Sequence, residues 1–260
     1  ESETKLLTEM SWEELTQKVK ALRTYLVQCG IKKGDRVVGY LTNSPEATIS
    51  FLAVISLGAV WSCCSPDFGA FSVIDRFKQI EPKLFIATTA YSYNGKNYNR
   101  LQEIQEIVTH LPTLNNVVLV TENETAFNQF SVSVISWENI MAIQATELAF
   151  ERVAFNEPLW ILYSSGTTGL PKAITQSHGG VLLEHFKYLH FNNNVQEGSR
   201  FFWYSTTGWM MWNVVQASLL VGATAILYDG SASYPNMERL WALMENSKAN
   251  YMGVSAGFIL

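Results

Sequence analysis

The stretch that decides the fold reads Tyr163-Ser164-Ser165-Gly166-Thr167-Thr168-Gly169-Leu170-Pro171-Lys172. It follows an apolar run at 159–162 that is typical of a buried strand, and it precedes a segment at 181–189 whose pattern predicts a helix. Glycines let the backbone approach an anion closely, and consecutive N–H groups can form a concavity that binds it. Hydroxyl groups and a lysine add further donors and a positive charge. The stretch therefore predicts a site for a polyphosphate.

The position of the lysine distinguishes this loop from the common P-loop. A P-loop has four residues between its first glycine and a Gly-Lys-Ser/Thr ending. Here Lys172 stands three residues after Gly169. A Ser/Thr/Gly-rich surface loop without a ligand is the alternative, since such loops are common. The position between a predicted strand and a predicted helix favours the phosphate-binding interpretation.

The same residues resemble the phosphate-binding motif of the AMP-forming acyl-CoA synthetases, a superfamily that also holds luciferases and peptide-synthetase adenylation domains. Two positions depart from the family's usual form. Ser164 stands where threonine is usual and keeps the hydroxyl, and Ala173 stands where glycine is usual and removes no ligand group. The resemblance implies that the β- and γ-phosphates of ATP are bound by Ser164, Ser165, Gly166, Thr167, Thr168, Gly169 and Lys172.

Composition and charge restrict the possible classes of protein. The 260 residues suffice for one large α/β domain or two smaller ones. Hydrophobic residues make up 48% and charged residues 16%, so much of the chain has to be buried. The net charge of −5, with no basic run, disfavours nucleic acid as a partner.

The cysteines and the apolar segments bear on the compartment. Cys29, Cys63 and Cys64 are an odd number with an adjacent pair, which fits neither a disulfide framework nor the spacing of metal ligands. A reducing compartment is the natural interpretation. The polar start at 1–5 is no signal peptide, and the interrupted apolar run at 49–64 is too short to span a membrane. We therefore expect a cytoplasmic protein.

Strand and helix patterns alternate along the chain. Such alternation predicts an α/β fold with largely parallel sheets covered by helices on both faces, in which ligands bind at the carboxyl ends of the strands. The predicted strands are 36–41, 59–63, 83–88, 117–121, 159–162, 200–205, 223–228 and 251–254, and the segment 122–128 is predicted to be a polar loop. The predicted helices are 12–29, from 45 onward, 72–80, 101–111, 136–143, 181–189, 211–220 and 237–247.

For several other turns, only the resemblance to the family implies a ligand-binding role. Trp209, Met210 and Met211 follow a predicted strand, and on composition alone they would be core. The resemblance instead implies that they border the acyl pocket and the pantetheine tunnel. It also implies that Gly69 and Ala70 lie along the nucleotide of coenzyme A, and that Lys96 meets its phosphates. An exposed loop lysine is otherwise usually just solvated. For His178 we prefer a capping or packing role to proton transfer.

Some segments narrow the resemblance to one branch of the family. The segments 172–174, 177–180, 183–185, 207–213 and 227–231 are similar to the acetoacetate-activating branch rather than to the acetate-activating branch. The implied reaction has two steps. The carboxylate of the acid attacks the α-phosphorus of ATP, giving an acyl-adenylate and pyrophosphate, and the thiol of coenzyme A then displaces AMP. Mg²⁺ is expected with ATP. Another short-chain acid, or a non-catalytic product that only binds nucleotide, are the alternatives.

The resemblance covers residues 1–260 and implies part of the N-terminal adenylation domain, incomplete at its C-terminus. The adenine and ribose motifs are expected to lie outside the chain, as is the mobile C-terminal lid with its catalytic lysine. No catalytic residue and no metal ligand is therefore assigned within 1–260. We expect this piece to be inactive alone.

Overall fold

A computed structural model describes residues 1–121, 124–145, 147–164 and 169–259. The described helices are α1 (Trp12–Gln28), α2 (Pro45–Ser56), α3 (Ala70–Phe77), α4 (Leu101–His110), α5 (Trp137–Met141), α6 (His178–Phe186), α7 (Met210–Ala217), α8 (Arg239–Asn246) and α9 (Ala256–Ile259). The described strands are β1 (Arg36–Tyr40), β2 (Val60–Cys64), β3 (Leu84–Thr88), β4 (Ala90–Tyr93), β5 (Lys96–Asn99), β6 (Asn116–Val120), β7 (Ser133–Ser136), β8 (Pro158–Ser164), β9 (Lys172–Ser177), β10 (Arg200–Trp203), β11 (Thr224–Ile226) and β12 (Tyr251–Gly253).

The larger sheet has seven strands in the order β7-β6-β3-β1-β2-β8-β9. Its neighbouring strands are parallel from β7 to β8, and only β9 runs antiparallel to its neighbour. In the centre, Val37 lies opposite both Trp61 and Leu84. Because parallel strands all end at the same edge, the turns after β1, β2, β3 and β8 lie along one side of the sheet. The predicted α/β fold with a largely parallel sheet is confirmed.

Helices cover both faces of this sheet, as the buried strands require. Along β1, Val37 packs in the core beneath α1, α2 and α5, whereas Val38 packs in the core beneath α3 and α4. Successive side chains of a strand point to opposite faces, so an unbroken apolar run fills both cores. Each large apolar side chain that is fully buried contributes about 1.5–3 kcal/mol to stability.

A second sheet of three parallel strands has the order β11-β10-β12. Phe201 on β10 packs in a core with α7, and Phe202 packs on the other face with α8. The ring of Phe201 also stacks on Tyr251 of β12, with centroids 4.4 Å apart. This smaller unit is therefore also covered by helices on both faces.

Local signals explain where several elements begin and end. The hydroxyl of Ser11 accepts a hydrogen bond of 3.0 Å from the backbone N–H of Glu14. Ser11 thus caps α1, as the local sequence pattern predicts. Gly30 follows that helix with φ of 75°, a conformation that favours glycine. Pro45 occupies the first turn of α2, where its missing N–H costs no hydrogen bond.

The structure corrects the surroundings of the phosphate loop. Residues Lys172–Ser177 form β9, paired antiparallel with β8, so the loop joins two strands rather than a strand and a helix. The sequence did not predict this strand, because the side chains of 172–175 are exposed and the segment lacks an apolar pattern typical of a strand. The helix expected at 181–189 begins earlier, at His178, and continues into a π-helical turn at Lys187–Asn192.

Three smaller expectations also change. The hairpin β4–β5 was not predicted, although Asn94-Gly95 between its strands is a typical two-residue hairpin turn. Residues Glu124–Gln129, which overlap the polar loop expected at 122–128, form a 3-10 helix. The helix expected at 136–143 is shortened to α5, because Ser136 ends the additional strand β7 and its hydroxyl caps α5.

The first test concerns the packing of β1 against β2. A Cβ atom on Gly39 would lie 2.7 Å from the ring of Trp61 and 2.9 Å from Sγ of Cys63. We expect Gly39→Ala to lower the free energy of unfolding by about 1–3 kcal/mol, because the overpacked core has to shift. Urea unfolding followed by tryptophan fluorescence measures the loss. Gly257→Ala, where a Cβ meets nothing within 4 Å, is the control. Equal midpoints for the two variants would contradict the overpacking.

Candidate functional site

The two sheets meet at the edge where their strands end. The buried side-chain amide of Asn43, after β1, donates to the carbonyl oxygens of Ser205 and Tyr228, each at 3.3 Å. These carbonyls belong to the turns after β10 and β11. The buried hydroxyl of Thr207 donates to the carbonyl of Leu41. The ends of three strands from two sheets are therefore joined by buried hydrogen bonds.

The loop after β2 packs against the turn after β10. The hydroxyl of Tyr40 lies 3.0 Å from the carbonyl oxygen of Pro66 and 2.7 Å from that of Phe68, and holds this loop from beneath. A Cβ on Gly208 would lie 3.1 Å from the ring of Phe68 and 3.3 Å from the backbone nitrogen of Ser65. The loop before Gly69, which is predicted to lie along the nucleotide of coenzyme A, is thus in contact with the turn that precedes Trp209.

The ends of the predicted phosphate loop face each other across the β8–β9 pair. Ser164 is paired with Lys172, and Gly169 has φ of 146°, which strongly favours glycine. The side chain of Lys172 is exposed, and no described carboxylate forms an ion pair with it. Four of the predicted ligands lie outside the described residues, namely Ser165, Gly166, Thr167 and Thr168.

Helix α3 and the residue Gln79 just beyond it hold both ends of this loop. The sequence did not indicate this support. The hydroxyl of Tyr163, on β8, donates to the carbonyl of Arg76 at 2.9 Å. The side-chain amide of Gln79, just beyond α3, donates to the carbonyl of Pro171 at 2.8 Å. Burial raises the pKa of Tyr163, so its hydroxyl keeps the proton that it donates.

The guanidinium of Arg76 connects the same helix to the loop after β2. It lies 4.8 Å from the ring centroid of Phe68 and 5.9 Å from that of Tyr163. Cations are attracted to the faces of aromatic rings at such distances. The phosphate loop and the loop after β2 are therefore supported by one helix. An isolated arginine in a helical pattern gave no sequence signal for this role.

The predicted acyl residues divide into two groups. Trp209 is 48% exposed and Met210 is 46% exposed, and they offer apolar surface beside the turn after β10. Met211 instead packs against the core of the second sheet, and Trp212 is buried with its ring 6.0 Å from that of Phe51. Trp209 and Met210 are thus more accessible to a ligand from solvent than Met211.

The predicted coenzyme A residues belong to two elements, helix α3 and the β4–β5 hairpin. Gly69 is exposed and caps α3, Ala70 is buried in the first turn of that helix, and Lys96 is exposed at the turn of the β4–β5 hairpin. Burial is the main cause that raises the pKa of Tyr91 in this hairpin, and the Asp67 carboxylate adds to the increase.

His178 lies at the opposite edge of the large sheet. It begins α6, its N–H donates to the carbonyl of Glu157 next to the start of β8, and burial lowers its pKa. Its Nε2 is buried without a partner among the described residues. This position supports the packing role and not proton transfer at the strand ends. A largely apolar cavity of about 350 Å³ lies there, lined by α1, α2, the segment 148–153 and His178.

The described residues contain no candidate metal cluster and no candidate membrane span. Within the described ranges, no group of three or more His, Cys, Asp or Glu side chains could hold a metal ion. Mg²⁺ commonly takes phosphate oxygens and waters with one or two carboxylates, so a loop that holds polyphosphate is compatible with a nucleotide-borne ion. None of the described helices has the length and apolar character that a membrane span needs.

Comparisons with known proteins agree with this architecture. The family model described as AMP-binding enzyme matches residues 5–259. An acetoacetyl-CoA synthetase from Gallus gallus is 40% identical, over 97% of this chain and 39% of its own length. An acetoacetyl-coenzyme A synthetase from Rhizobium meliloti (strain 1021) is 40% identical, over 99% and 40%. A malonamoyl-CoA synthetase from Penicillium aethiopicum is 36% identical, over 86% and 32%.

A solved structure is also similar. That of acetoacetyl-CoA synthetase from Streptomyces lividans has a TM-score of 0.93 and 43% identity, over 99% of this chain and 39% of its own. The chain therefore belongs to the family of AMP-binding enzymes, and the resemblance inferred from the phosphate loop is confirmed. The chain spans about two fifths of the length of the acetoacetyl-CoA synthetases that it matches.

One half-buried acid at the strand ends, Asp229, gives a pH-dependent test. Burial is the main cause that raises the pKa of Asp229 to about 6, with Glu3 and Glu46 adding to it and a hydrogen bond from Thr42 opposing it. The folded state therefore holds this proton more tightly than the unfolded state, and the contribution to stability is lost as pH rises through about 6.

We expect Asp229→Asn, which cannot ionise, to escape this loss. Between pH 4 and pH 8 the difference in unfolding free energy should shift in favour of the variant by up to roughly 3 kcal/mol. Urea unfolding of both proteins at the two pH values gives the difference. Parallel pH dependences would show that Asp229 ionises normally in the folded state.

Proposed function

We propose that the protein containing this chain is an ATP-dependent acid–thiol ligase that activates acetoacetate and transfers it to coenzyme A. The observation that carries the proposal is the shared support of the three predicted subsites. Helix α3 holds the ends of the phosphate loop and follows the loop after β2, and that loop packs against Gly208, next to Trp209. Relatives named acetoacetyl-CoA synthetase match nearly the whole chain.

The first step depends on binding and orienting ATP. The loop from Ser164 to Lys172 would hold the β- and γ-phosphates, with the lysine offsetting the charge that develops on the leaving pyrophosphate. Mg²⁺, when bound with ATP, supplies further positive charge on the phosphates. The acid's carboxylate then attacks the α-phosphorus, which forms a carboxylate–phosphorus bond and breaks the bond to pyrophosphate. Anchoring of the loop by Tyr163 and Gln79 limits its motion, so positioning contributes to the rate.

The second step needs the thiol of coenzyme A to reach the activated carbonyl. The exposed apolar surface of Trp209 and Met210 would border the acyl group and the pantetheine arm. Gly69 would lie along the nucleotide of coenzyme A, with Lys96 supplying a charge for its phosphates. Ala70 is buried, so we assign it the packing of α3 beneath this surface rather than a direct contact.

The rest of the enzyme has to supply what this chain lacks under the proposal. We propose that residues 1–260 are part of the N-terminal adenylation domain, and that the groups that bind adenine and ribose and the lid with its lysine belong to the remaining length seen in the relatives. Its substrates are small molecules, with no nucleic acid involved. The free thiols of Cys29, Cys63 and Cys64 fit a reducing compartment, and we place the enzyme in the cytosol.

One observation favours a second candidate for the acid substrate, namely malonamate. A relative whose name is malonamoyl-CoA synthetase is 36% identical over 86% of this chain. The acid of such an enzyme is also short, so the same fold accommodates related acids. The identity of the acid therefore has to be measured on the complete enzyme.

Lys172 tests the phosphate loop. In the complete enzyme, pyrophosphate release with ATP, Mg²⁺, coenzyme A and acetoacetate should fall roughly ten- to hundredfold in kcat/KM for Lys172→Ala, because a charged hydrogen bond to the phosphates is lost. Lys32→Ala, which removes an exposed lysine at the opposite edge of the large sheet, is the matched control.

The same assay with acetate, butyrate and malonamate in parallel identifies the acid. Preference for acetoacetate supports the proposal. Preference for another acid keeps the reaction and discards the substrate, and no release with any acid leaves the non-catalytic alternative. Equal rates for the Lys172 and Lys32 variants would remove Lys172 from the phosphate site.

Met210 tests the acyl pocket. Met210→Ala should raise kcat/KM for hexanoate relative to acetoacetate by about tenfold, because removing an apolar wall makes room for added methylenes, each of which contributes about 1–3 kcal/mol in such a pocket. Met237→Ala is the control, since Met237 is also exposed but lies before α8. If both variants keep the wild-type ratio of the two acids, Met210 does not line the acyl pocket.

A further inference from the structure

The carboxylate of Glu3 is bound by three backbone N–H groups. Asn94 donates to its Oε1 at 2.7 Å and Gly95 donates to its Oε2 at 2.9 Å. Ser231 also donates to Oε1, at 2.7 Å. Hydrogen bonds to an ionised acceptor are shorter and stronger than those between neutral groups. This is therefore a well-satisfied carboxylate rather than a loosely solvated surface acid.

The three donors come from two separate parts of the fold. Asn94 and Gly95 form the turn of the β4–β5 hairpin, with φ of 53° and 71°, and consecutive residues in such turns can direct their N–H groups into one anion-binding concavity. Ser231 belongs to the segment after β11. Glu3 thus links the hairpin to the second sheet through its own charge.

The surroundings leave Glu3 and the turn little space to move. The N–H of Glu3 donates to the carbonyl of Asp229 at 3.1 Å. A Cβ on Gly230 would lie 2.5 Å from Cγ of Glu3, and a Cβ on Gly95 would lie 2.6 Å from the ring of Tyr234. The hairpin turn is therefore fixed on one side by the carboxylate and on the other by an aromatic ring.

Apolar packing contributes little to holding the tip of this hairpin. Residues 93–97 are all exposed, and the described cores contain no residue of β4 or β5. Arg100 contacts the base of the hairpin, where it donates to the hydroxyl of Tyr91 at 3.1 Å. At the tip, the polar contacts to Glu3 replace the missing apolar core. Lys96 follows Gly95 directly, so the direction of its backbone depends on those contacts.

We propose that Glu3 is a positioning residue for coenzyme A, which fixes the hairpin turn so that Lys96 faces the nucleotide of that substrate. The inference rests on the proposed function. It adds that the carboxylate acts through Asn94 and Gly95 and touches no substrate itself. The hydrogen bonds that the described residues donate to the Glu3 carboxylate come from the hairpin turn and from Ser231, and none comes from α3. We therefore expect the binding of ATP to be independent of Glu3.

The test separates the KM values of the substrates in the complete enzyme. For Glu3→Ala the KM for coenzyme A should rise about tenfold, which corresponds to about 1.4 kcal/mol of binding. The KM values for ATP and acetoacetate, and kcat at saturating coenzyme A, should change by less than about twofold. Glu3→Gln, which keeps the shape but loses the charge and an acceptor, should give a smaller rise. Glu13→Gln, at an exposed acid in the first turn of α1, is the matched control.

A second variant displaces the turn without altering Glu3. Gly95→Ala places a methyl group against the ring of Tyr234 at a residue with positive φ, so it should raise the KM for coenzyme A in the same selective way. Should Glu3→Ala fail to fold, Glu3→Gln and Gly95→Ala carry the test. Faster amide hydrogen exchange at Asn94 and Gly95 in Glu3→Gln, with unchanged exchange in β1, would further support the role.

Two results overturn the inference alone. In a wild-type enzyme that is active with acetoacetate, an unchanged KM for coenzyme A in both Glu3 variants shows that the turn needs no carboxylate. An equal rise of all three KM values, or a fall in kcat alone, shows a general structural role. A wild-type enzyme that does not release pyrophosphate with acetoacetate overturns the proposed function, and the inference with it, which is a distinguishable outcome.

Discussion

The amide of Asn43 joins the two sheets at the edge where their strands end, and the site depends on that junction. Backbone carbonyls beyond a strand end have no partner in the sheet, and a buried carbonyl without a partner destabilises the fold. Here one side-chain amide satisfies two of them, Ser205 and Tyr228, and Thr207 satisfies a third at Leu41. The turns after β1, β10 and β11 therefore keep a fixed relation to each other, although they come from different sheets.

Helix α3 supports a second part of the same edge, the loop between β8 and β9. It packs its apolar side on the large sheet, through Val73 and Phe77, and its polar groups and the residue beyond it hold the β8–β9 loop. Under the proposed function this loop has to approach its ligand with many N–H groups, so it cannot also bury apolar side chains of its own. Support from a neighbouring helix resolves that conflict. It also means that the loop after β2 and the β8–β9 loop are both held at the same helix.

The periphery of the site is held by different forces from its centre. The strands of the large sheet are fixed by burial on both faces, whereas the β4–β5 hairpin is exposed at its tip and depends on charge and hydrogen bonds to Glu3. Polar contacts of this kind depend strongly on direction, so they can fix the orientation of a turn with little contact area. The hairpin can thus present Lys96 without a core beneath it.

The sequence by itself determined the alternating elements, the largely parallel sheet and the family to which the chain belongs. Val37 and Val38 are apolar neighbours because both faces of β1 are covered, and that requirement appears directly in the residue pattern. The antiparallel strand β9, the anchoring by α3 and the pairing of Glu3 with Ser231 were decided only by the tertiary structure. Local patterns record which side chains must be buried, whereas hydrogen bonds between distant segments leave no periodic signal, because each needs only one suitable group at the right place in space.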